Sequence, residues 1–189
     1  TAGTVLVEPG VRLSDKQIGL LAACGCSRLW VKQRLKVALL STGDELVDIH
    51  QTPRVGQVRD VNSYSLAALL VRWGCDVSRY GIVRDSLEHF LMQLTRATQE
   101  CQLVIISGGS SVGARDFTVP AMQALDRSGL LMHGLAIKPG KPTIFGLAGS
   151  VPVFGLPGHP MAAWIVCELL VGGAIEKMTG ALAYIKIRK

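Results

Sequence analysis

Aromatic side chains and charge are both scarce in this chain of 189 residues: Phe, Trp and Tyr make up 5% of it, and Asp, Glu, Lys and Arg 18%. With its Lys and Arg scattered and no nucleic-acid motif present, it lacks the basic stripe and stacking platforms of a dedicated nucleic-acid binder, so no nucleic-acid partner is expected. Cysteine is sparse as well. Cys24, Cys26, Cys75, Cys101 and Cys167 form an odd set without C-x-x-C or Cys/His ligand spacing, which argues against a disulfide framework or a zinc site. Reduced thiols and a cytoplasmic setting are the expectation. No long apolar span is available for a membrane helix, because the longest uncharged stretch, Pro142 to Cys167, is interrupted by four Pro and four Gly in 26 residues. Thr1 to Leu6 has neither the charged nor the long apolar region of a secretory leader, and a start without Met points to a fragment or a processed chain.

What the chain does have is apolar mass. At 49% hydrophobic it can bury a core and is not a disordered segment, and the length suits one domain plus some extra chain. Its formal charge, 20 − 14 = +6, suits a pocket for small polyanions. Residues 1–34 have weak periodicity, with Ser14 marked as the cap of a short helix that ends before Gly25, and read as a connector. From residue 35 strand and helix patterns alternate. Val37-Ala38-Leu39-Leu40 and Leu103 to Ser107 are continuous apolar runs of strands buried on both faces. Leu66, Leu69, Leu70 and Trp73 fall at i, i+3, i+4 and i+7, and Leu87, Phe90, Leu91 and Leu94 repeat that spacing, so both segments are amphipathic helices. Asp85 and Glu88 form a D-x-x-E capping box that places the start of the second helix. A further helix is expected around Val119 to Leu125. Thr143 to Leu147 and Val151 to Phe154 flank Ala148-Gly149-Ser150 as a hairpin, Pro160 to Met178 reads as one long helix closed by Gly180, and residues 181–189 alternate like a new strand.

This alternation predicts an α/β fold: a three-layer sandwich with a mostly parallel sheet and helices on both faces, its ligands gathered outside the carboxyl ends of the strands. The residues at those ends carry the chemistry. Gly108, Gly109 and Gly113 allow backbone amides to approach an anion, and Ser110 and Ser111 add donors. Ala114-Arg115 stands where a Walker A loop has Lys-Ser/Thr, which disfavours a nucleoside triphosphatase. The same segment also matches G-x-S-x-G, a nucleophile elbow with Ser111 as nucleophile, Asp126 as acid and His133 or His159 as base. Ser41, Thr42, Gly43, Asp44 and Glu45 follow the first core strand and set two carboxylates beside hydroxyl donors. Lys138, Gly140, Lys141 and Pro142 lie in a loop where two ammonium groups can converge on an oxyanion. Pro157 and Pro160 stiffen the loop that opens the last helix. Asp116, just after the glycine loop, is an acidic residue among phosphate-binding elements, a placement that favours Mg²⁺ binding or proton transfer.

Six ordered motifs, Ser41 to Leu46, Asp60-Val61-Asn62-Ser63, Ile82 to Asp85, Gly108 to Gly113 with Asp116, Lys138 to Pro142 and Gly155 to Pro160, resemble the molybdopterin molybdenumtransferase family, which includes the bacterial MoeA proteins and the gephyrin E domain. The resemblance covers residues 35–180 as a molybdopterin-binding α/β domain. It implies that residues 1–34 are a linker and part of a preceding domain, and that 181–189 begin a C-terminal β domain. It further implies insertion of molybdate into adenylylated molybdopterin with release of AMP, assisted by Mg²⁺ that Asp116 would hold. Glu45, Asp85, Asp116, Pro157 and Pro160 match catalytic positions. Ser41, Thr42, Gly43, Asp44, Asn62, Ser63, the glycine loop and the Lys138 to Pro142 loop match substrate-binding positions. A homodimer, contact with the molybdopterin adenylyltransferase, and no membrane partner are implied too. Where the family commonly has Asn and Ser in the proline loop, this chain has His159 and Ala162. The alternatives are a non-catalytic molybdopterin carrier or scaffold, and a serine hydrolase using Ser111.

Overall fold

The computed structural model describes residues 3–83, 86–108, 118, 120–121, 123–124 and 129–180. The chain divides into two compact units, one formed by residues 34–171 and the other by 1–33 with 172–189. In the second unit α1 (Asp15–Ala23) starts at a complete capping box: the Ser14 side chain accepts from the Gln17 amide, and the Gln17 side chain accepts from the Ser14 amide. Helix α5 (Gly172–Thr179) belongs to the same unit.

The larger unit holds a six-stranded sheet in the order β4 (Asp76–Val83), β1 (Lys36–Thr42), β5 (Leu103–Gly108), β8 (Val151–Leu156), β7 (Ile144–Ala148), β6 (Gly129–His133). The first four strands run parallel, and β7 and β6 complete the sheet as antiparallel neighbours. Val37 to Leu40 and Leu103 to Ile106 are almost wholly buried, as their unbroken apolar runs require of central strands covered on both sides. On one face Ala38, Leu40, Val104 and Ile106 pack with Phe90, Leu94 and Ala97 of α3 (Leu87–Glu100). Helix α2 (Asn62–Arg72) buries Leu66, Leu69 and Leu70, and packs against β1, β4 and α4 (Pro160–Val166). The three-layer sandwich with a mostly parallel sheet is therefore the observed architecture.

Four local features go beyond or against the sequence pattern. Tyr80 is an extra residue in β4 opposite β1, between the Leu39–Arg79 and Leu40–Gly81 partners, and Gly81 takes φ +81° there, as a bulge requires. A two-stranded ribbon of β2 (Leu46–Val47) and β3 (Val58–Arg59) lies between β1 and α2 in the chain. The N-cap of α3 is Ser86, which makes no side-chain capping bond, so the start assigned to an Asp85–Glu88 box is corrected; Asp85 itself lies outside the described residues. The run expected from Pro160 to Met178 is helical without a break, but a π-turn over Cys167–Val171 joins its two α segments, α4 and α5. The hairpin of β7 and β8 turns at Gly149, as its sequence predicts. Thr118, Pro120, Ala121, Gln123 and Ala124 are helical, and residues 181–189 lie outside the described residues.

Candidate functional site

Because β4, β1, β5 and β8 are parallel, their last residues, Val83, Thr42, Gly108 and Leu156, share one edge of the sheet. The chain leaves β1 to form β4 on one side of it and returns as β5 on the other, so the strand order reverses beside β1 and opens a crevice there. Ile144 pairs with Gly155 in antiparallel register, which brings the 134–143 loop to the same edge.

Two cavities occupy this edge. The smaller, about 380 Å³, is lined by Asn62, Ser107, Gly108 and Gly158, by Glu45, Arg59, Asp60 and His159, and by the apolar Leu46, Val58, Val61 and Pro160. Asn62 is its hub. The Nδ2 group donates to Ser107 Oγ at 2.7 Å and to the Gly158 carbonyl at 2.8 Å, tying the end of β5 to the loop before α4. Its Oδ1 is buried and has no hydrogen-bond partner among the described residues, and the same holds for Ser41 Oγ and Thr42 Oγ1, of the last two residues of β1. A buried polar atom left unpaired costs about 1–3 kcal/mol. All three belong to residues at the edge where an α/β sheet receives its ligands, and of the three residues Asn62 lines a cavity, whereas Ser41 and Thr42 line neither.

The larger cavity, about 870 Å³, lies toward β4 and is lined by Gly43, Asp44, Asp48, Gln51, Gln57, Ser63, Tyr64, Arg79 and Gly81 among others. Asp60 and Leu46 line both cavities, whereas the neighbouring carboxylates separate, Asp44 to the larger and Glu45 to the smaller. Gly43 makes that separation possible: it takes φ +145°, and a Cβ there would lie 2.7 Å from Glu45 Oε2. The Asp60 carboxylate accepts from the Ser63 amide at 3.1 Å and so caps α2, although the helix begins after Val61. Arg79 stacks over Tyr64, with its guanidinium carbon 4.1 Å from the ring centre.

Lys138 and Lys141 are exposed in the 134–143 loop and line neither cavity. The loop is closed by bonds from the Gly134 amide to the Thr143 carbonyl, from the Leu135 amide to the Lys141 carbonyl, and from Thr143 Oγ1 to the Gly140 carbonyl. Gly140 has φ +123°, and a Cβ there would come within 2.7 Å of Val166 Cγ2, so the loop rests directly on α4. Pro142 is half-buried next to it. Pro157 is buried, and Pro160 occupies the first turn of α4, where a missing amide proton costs nothing. Ala162, in the same first turn, is buried.

Asp85, Gly109, Ser110, Ser111, Gly113 and Asp116, together with Asp126, lie outside the described residues. Among the described residues no three His, Cys, Asp or Glu side chains converge as a metal site. No described helix is long and apolar enough to cross a membrane. All five cysteines are free, Cys24 and Cys26 being exposed and the other three buried. Burial pushes the Cys75 thiol up to about 11 and the Cys167 thiol up to about 12, which keeps both neutral and unreactive near neutral pH. Ser107, Asp60, Tyr64 and Arg79 escaped the sequence reading as site residues. Ser107 was the most accessible of these, as the last side chain before Gly108 on a strand whose carboxyl end was already singled out. Tyr64 and Arg79 meet only because α2 packs on β4, and no local pattern carries that.

Residues 38–177 match the family described as a probable molybdopterin binding domain. The chain is 36% identical over 178 residues to the molybdopterin molybdenumtransferase of Haemophilus influenzae, covering 94% of this chain and 44% of that protein. It is 34% identical over 182 residues to the enzyme of the same name from a Nostoc species, covering 95% and 42% respectively. It thus spans less than half the length of these relatives. Among solved structures, a molybdopterin biosynthesis moeA protein from Pyrococcus horikoshii superposes with a TM-score of 0.84 at 35% identity, over 93% of this chain and 43% of that one. The MoaB protein of Thermus thermophilus shares the fold at 21% identity and a TM-score of 0.53, over 80% of this chain and 99% of that one.

Proposed function

The chain belongs to the molybdopterin-binding domain family, and from that membership we propose that it binds adenylylated molybdopterin at the carboxyl edge of its sheet, for insertion of molybdate with release of AMP. The observation that carries this reading is the set of three buried polar atoms at the carboxyl edge, on Ser41, Thr42 and Asn62, that have no partner among the described residues, Asn62 lining the smaller cavity. Gly108 and the following Gly109, Ser110, Ser111 and Gly113 receive the phosphate through backbone amides. Lys138 and Lys141, on the same edge, attract the oxyanions of the substrate, its phosphate as well as molybdate, electrostatically. Glu45, Asp85 and Asp116 act as the catalytic carboxylates, and the buried Pro157 and the helix-starting Pro160 hold the loop whose Gly158 carbonyl Asn62 grips. Asp44, Gly43 and Ser63 contribute walls of the larger cavity, and Gly140 and Pro142 set the shape of the lysine loop.

Mg²⁺ is part of the same proposal, since that ion takes one or two carboxylates and completes its shell with phosphate oxygens and water. Asp116 is the proposed ligand, and when bound the ion would neutralise charge on the phosphate. A homodimer that completes the site, contact with the molybdopterin adenylyltransferase, and a cytoplasmic location belong to the same proposal. The carrier reading rests on one observation, the absence of a hydroxyl at the buried Ala162 in the first turn of α4; molybdate insertion by the full-length parent would exclude it.

Calorimetric titration with adenylylated molybdopterin and Mg²⁺ tests the proposal. Saturable binding that Lys141→Ala weakens by about tenfold or more, the scale of a hydrogen bond to a charged group, is the expected result. No binding by a chain that circular dichroism shows to be folded would overturn it.

A further inference from the structure

The smaller cavity is chemically unlike an oxyanion site. Leu46, Val58, Val61 and Pro160 give it apolar walls, and its charged lining sets the carboxylates Glu45 and Asp60 against the single guanidinium of Arg59, with His159 at the same wall. Among the described residues, the buried side-chain atom lining it that lacks a partner is Asn62 Oδ1, which can only accept. The orientation of this amide is fixed by its neighbours. Turning it over would set Oδ1 against the Gly158 carbonyl, acceptor against acceptor, so Nδ2 must face Gly158 and Ser107. Ser107 Oγ already accepts from Nδ2, and no hydrogen bond to a described residue takes its own proton, which can therefore rotate toward a ligand. The cavity therefore offers one fixed acceptor and one adjacent hydroxyl donor between apolar walls. Phosphate and molybdate oxygens, being acceptors, have nothing to give Oδ1. A fused ring carrying an N–H beside a carbonyl has both complements.

Resting on the proposed substrate, we infer that this cavity takes the pyrimidinone edge of the pterin, with Asn62 Oδ1 accepting from the ring N3–H and Ser107 Oγ donating to the 4-oxo group. The phosphate then leaves the cavity past Gly108, toward the glycine loop and the lysines, and the ring end and the oxyanion end of the substrate are recognised separately. Asn62 in this account does two things with one side chain: it holds the 157–160 loop against β5, and it reads the donor on the ring. Ring specificity is thus assigned to the residue pair at the strand-order reversal and not to the charged loops around it.

Three ring probes test this in competition with adenylylated molybdopterin. Pterin and lumazine both present N3–H and a 4-oxo group, whereas neutral 2,4-diaminopteridine presents an acceptor at N3 and a donor at C4. Pterin and lumazine are expected to compete, and 2,4-diaminopteridine to compete at least about tenfold more weakly, because a buried pair built for one pattern rejects its inverse. Ser107→Ala, a small change in a buried strand, is expected to weaken adenylylated molybdopterin binding and to remove much of that preference. Equal competition by all three rings would overturn the inference. So would substrate binding that neither Ser107→Ala nor Asn62→Ala alters, a result that leaves the wider proposal standing. If the folded chain binds no adenylylated molybdopterin at all, the wider proposal and this inference fall together.

Discussion

The two halves of the central strands are built to different rules. Along β1, Val37 to Leu40 bury apolar side chains against helices on both faces, while the next two residues, Ser41 and Thr42, bury hydroxyls that have no partner. Strand β5 repeats the change, from Val104, Ile105 and Ile106 to Ser107 and Gly108. The amino halves gain from burial, at roughly 25 cal/mol per Å² of apolar surface. The carboxyl halves give some of that up, since an unpaired buried hydroxyl is worse than a methyl group of the same shape. If the carboxyl edge binds as proposed, stability and binding are segregated along the length of single strands, within a few residues of each other.

The largest way to stress this contrast is in the amino half. Leu40→Ala removes a wholly buried side chain from the cluster with Phe90 and Leu94, and is expected to cost about 2–5 kcal/mol in urea unfolding. A loss as small as that of a surface substitution would mean that β1 is not the core strand described here. A second effect, read through pH, concerns the buried thiols on the far side of the same layer. In the unfolded chain Cys75 and Cys167 ionise near 9.0, but in the folded chain only near about 11 and about 12. Their contribution to stability is therefore fully present below pH 9.0 and is lost as pH rises through that range toward the folded values. The urea midpoint should fall over that interval, and Cys167→Ala should flatten the fall; a midpoint that stays level would contradict the burial of these thiols. The smallest effect belongs to the carboxyl half. Thr42→Val replaces an unpartnered hydroxyl with a methyl group and is expected to change stability by less than about 0.5 kcal/mol, or to raise it.

This division also explains what the sequence made legible. The strands and helices of the larger unit could be read because apolar runs and i, i+3, i+4 spacings are local, and burial on both faces leaves them no other arrangement. The proline and lysine loops could be read as an edge feature because parallel strands put their carboxyl ends together. The Asn62 hub could not, since it bonds residues 45 and 96 positions away and depends on α2 lying across the ends of β5 and β8. The bulge at Tyr80 and the π-turn at Cys167 were equally hidden, because each adjusts a regular element to its neighbours and leaves the apolar pattern intact. The start of α3 falls one residue after the position that the Asp85–Glu88 pattern marks, with Ser86 as its N-cap, and Asp85 lies outside the described residues.

The segregation of binding from stability is tested most directly by the affinity for adenylylated molybdopterin of two variants measured side by side. Ile106→Val trims the buried amino half of β5 and is expected to lower stability by about 0.5–1.5 kcal/mol while leaving affinity unchanged. Thr42→Val is expected to leave stability intact and to weaken binding severalfold. Unaltered affinity in Thr42→Val, or a loss in Ile106→Val as large as that in Thr42→Val, would contradict the account.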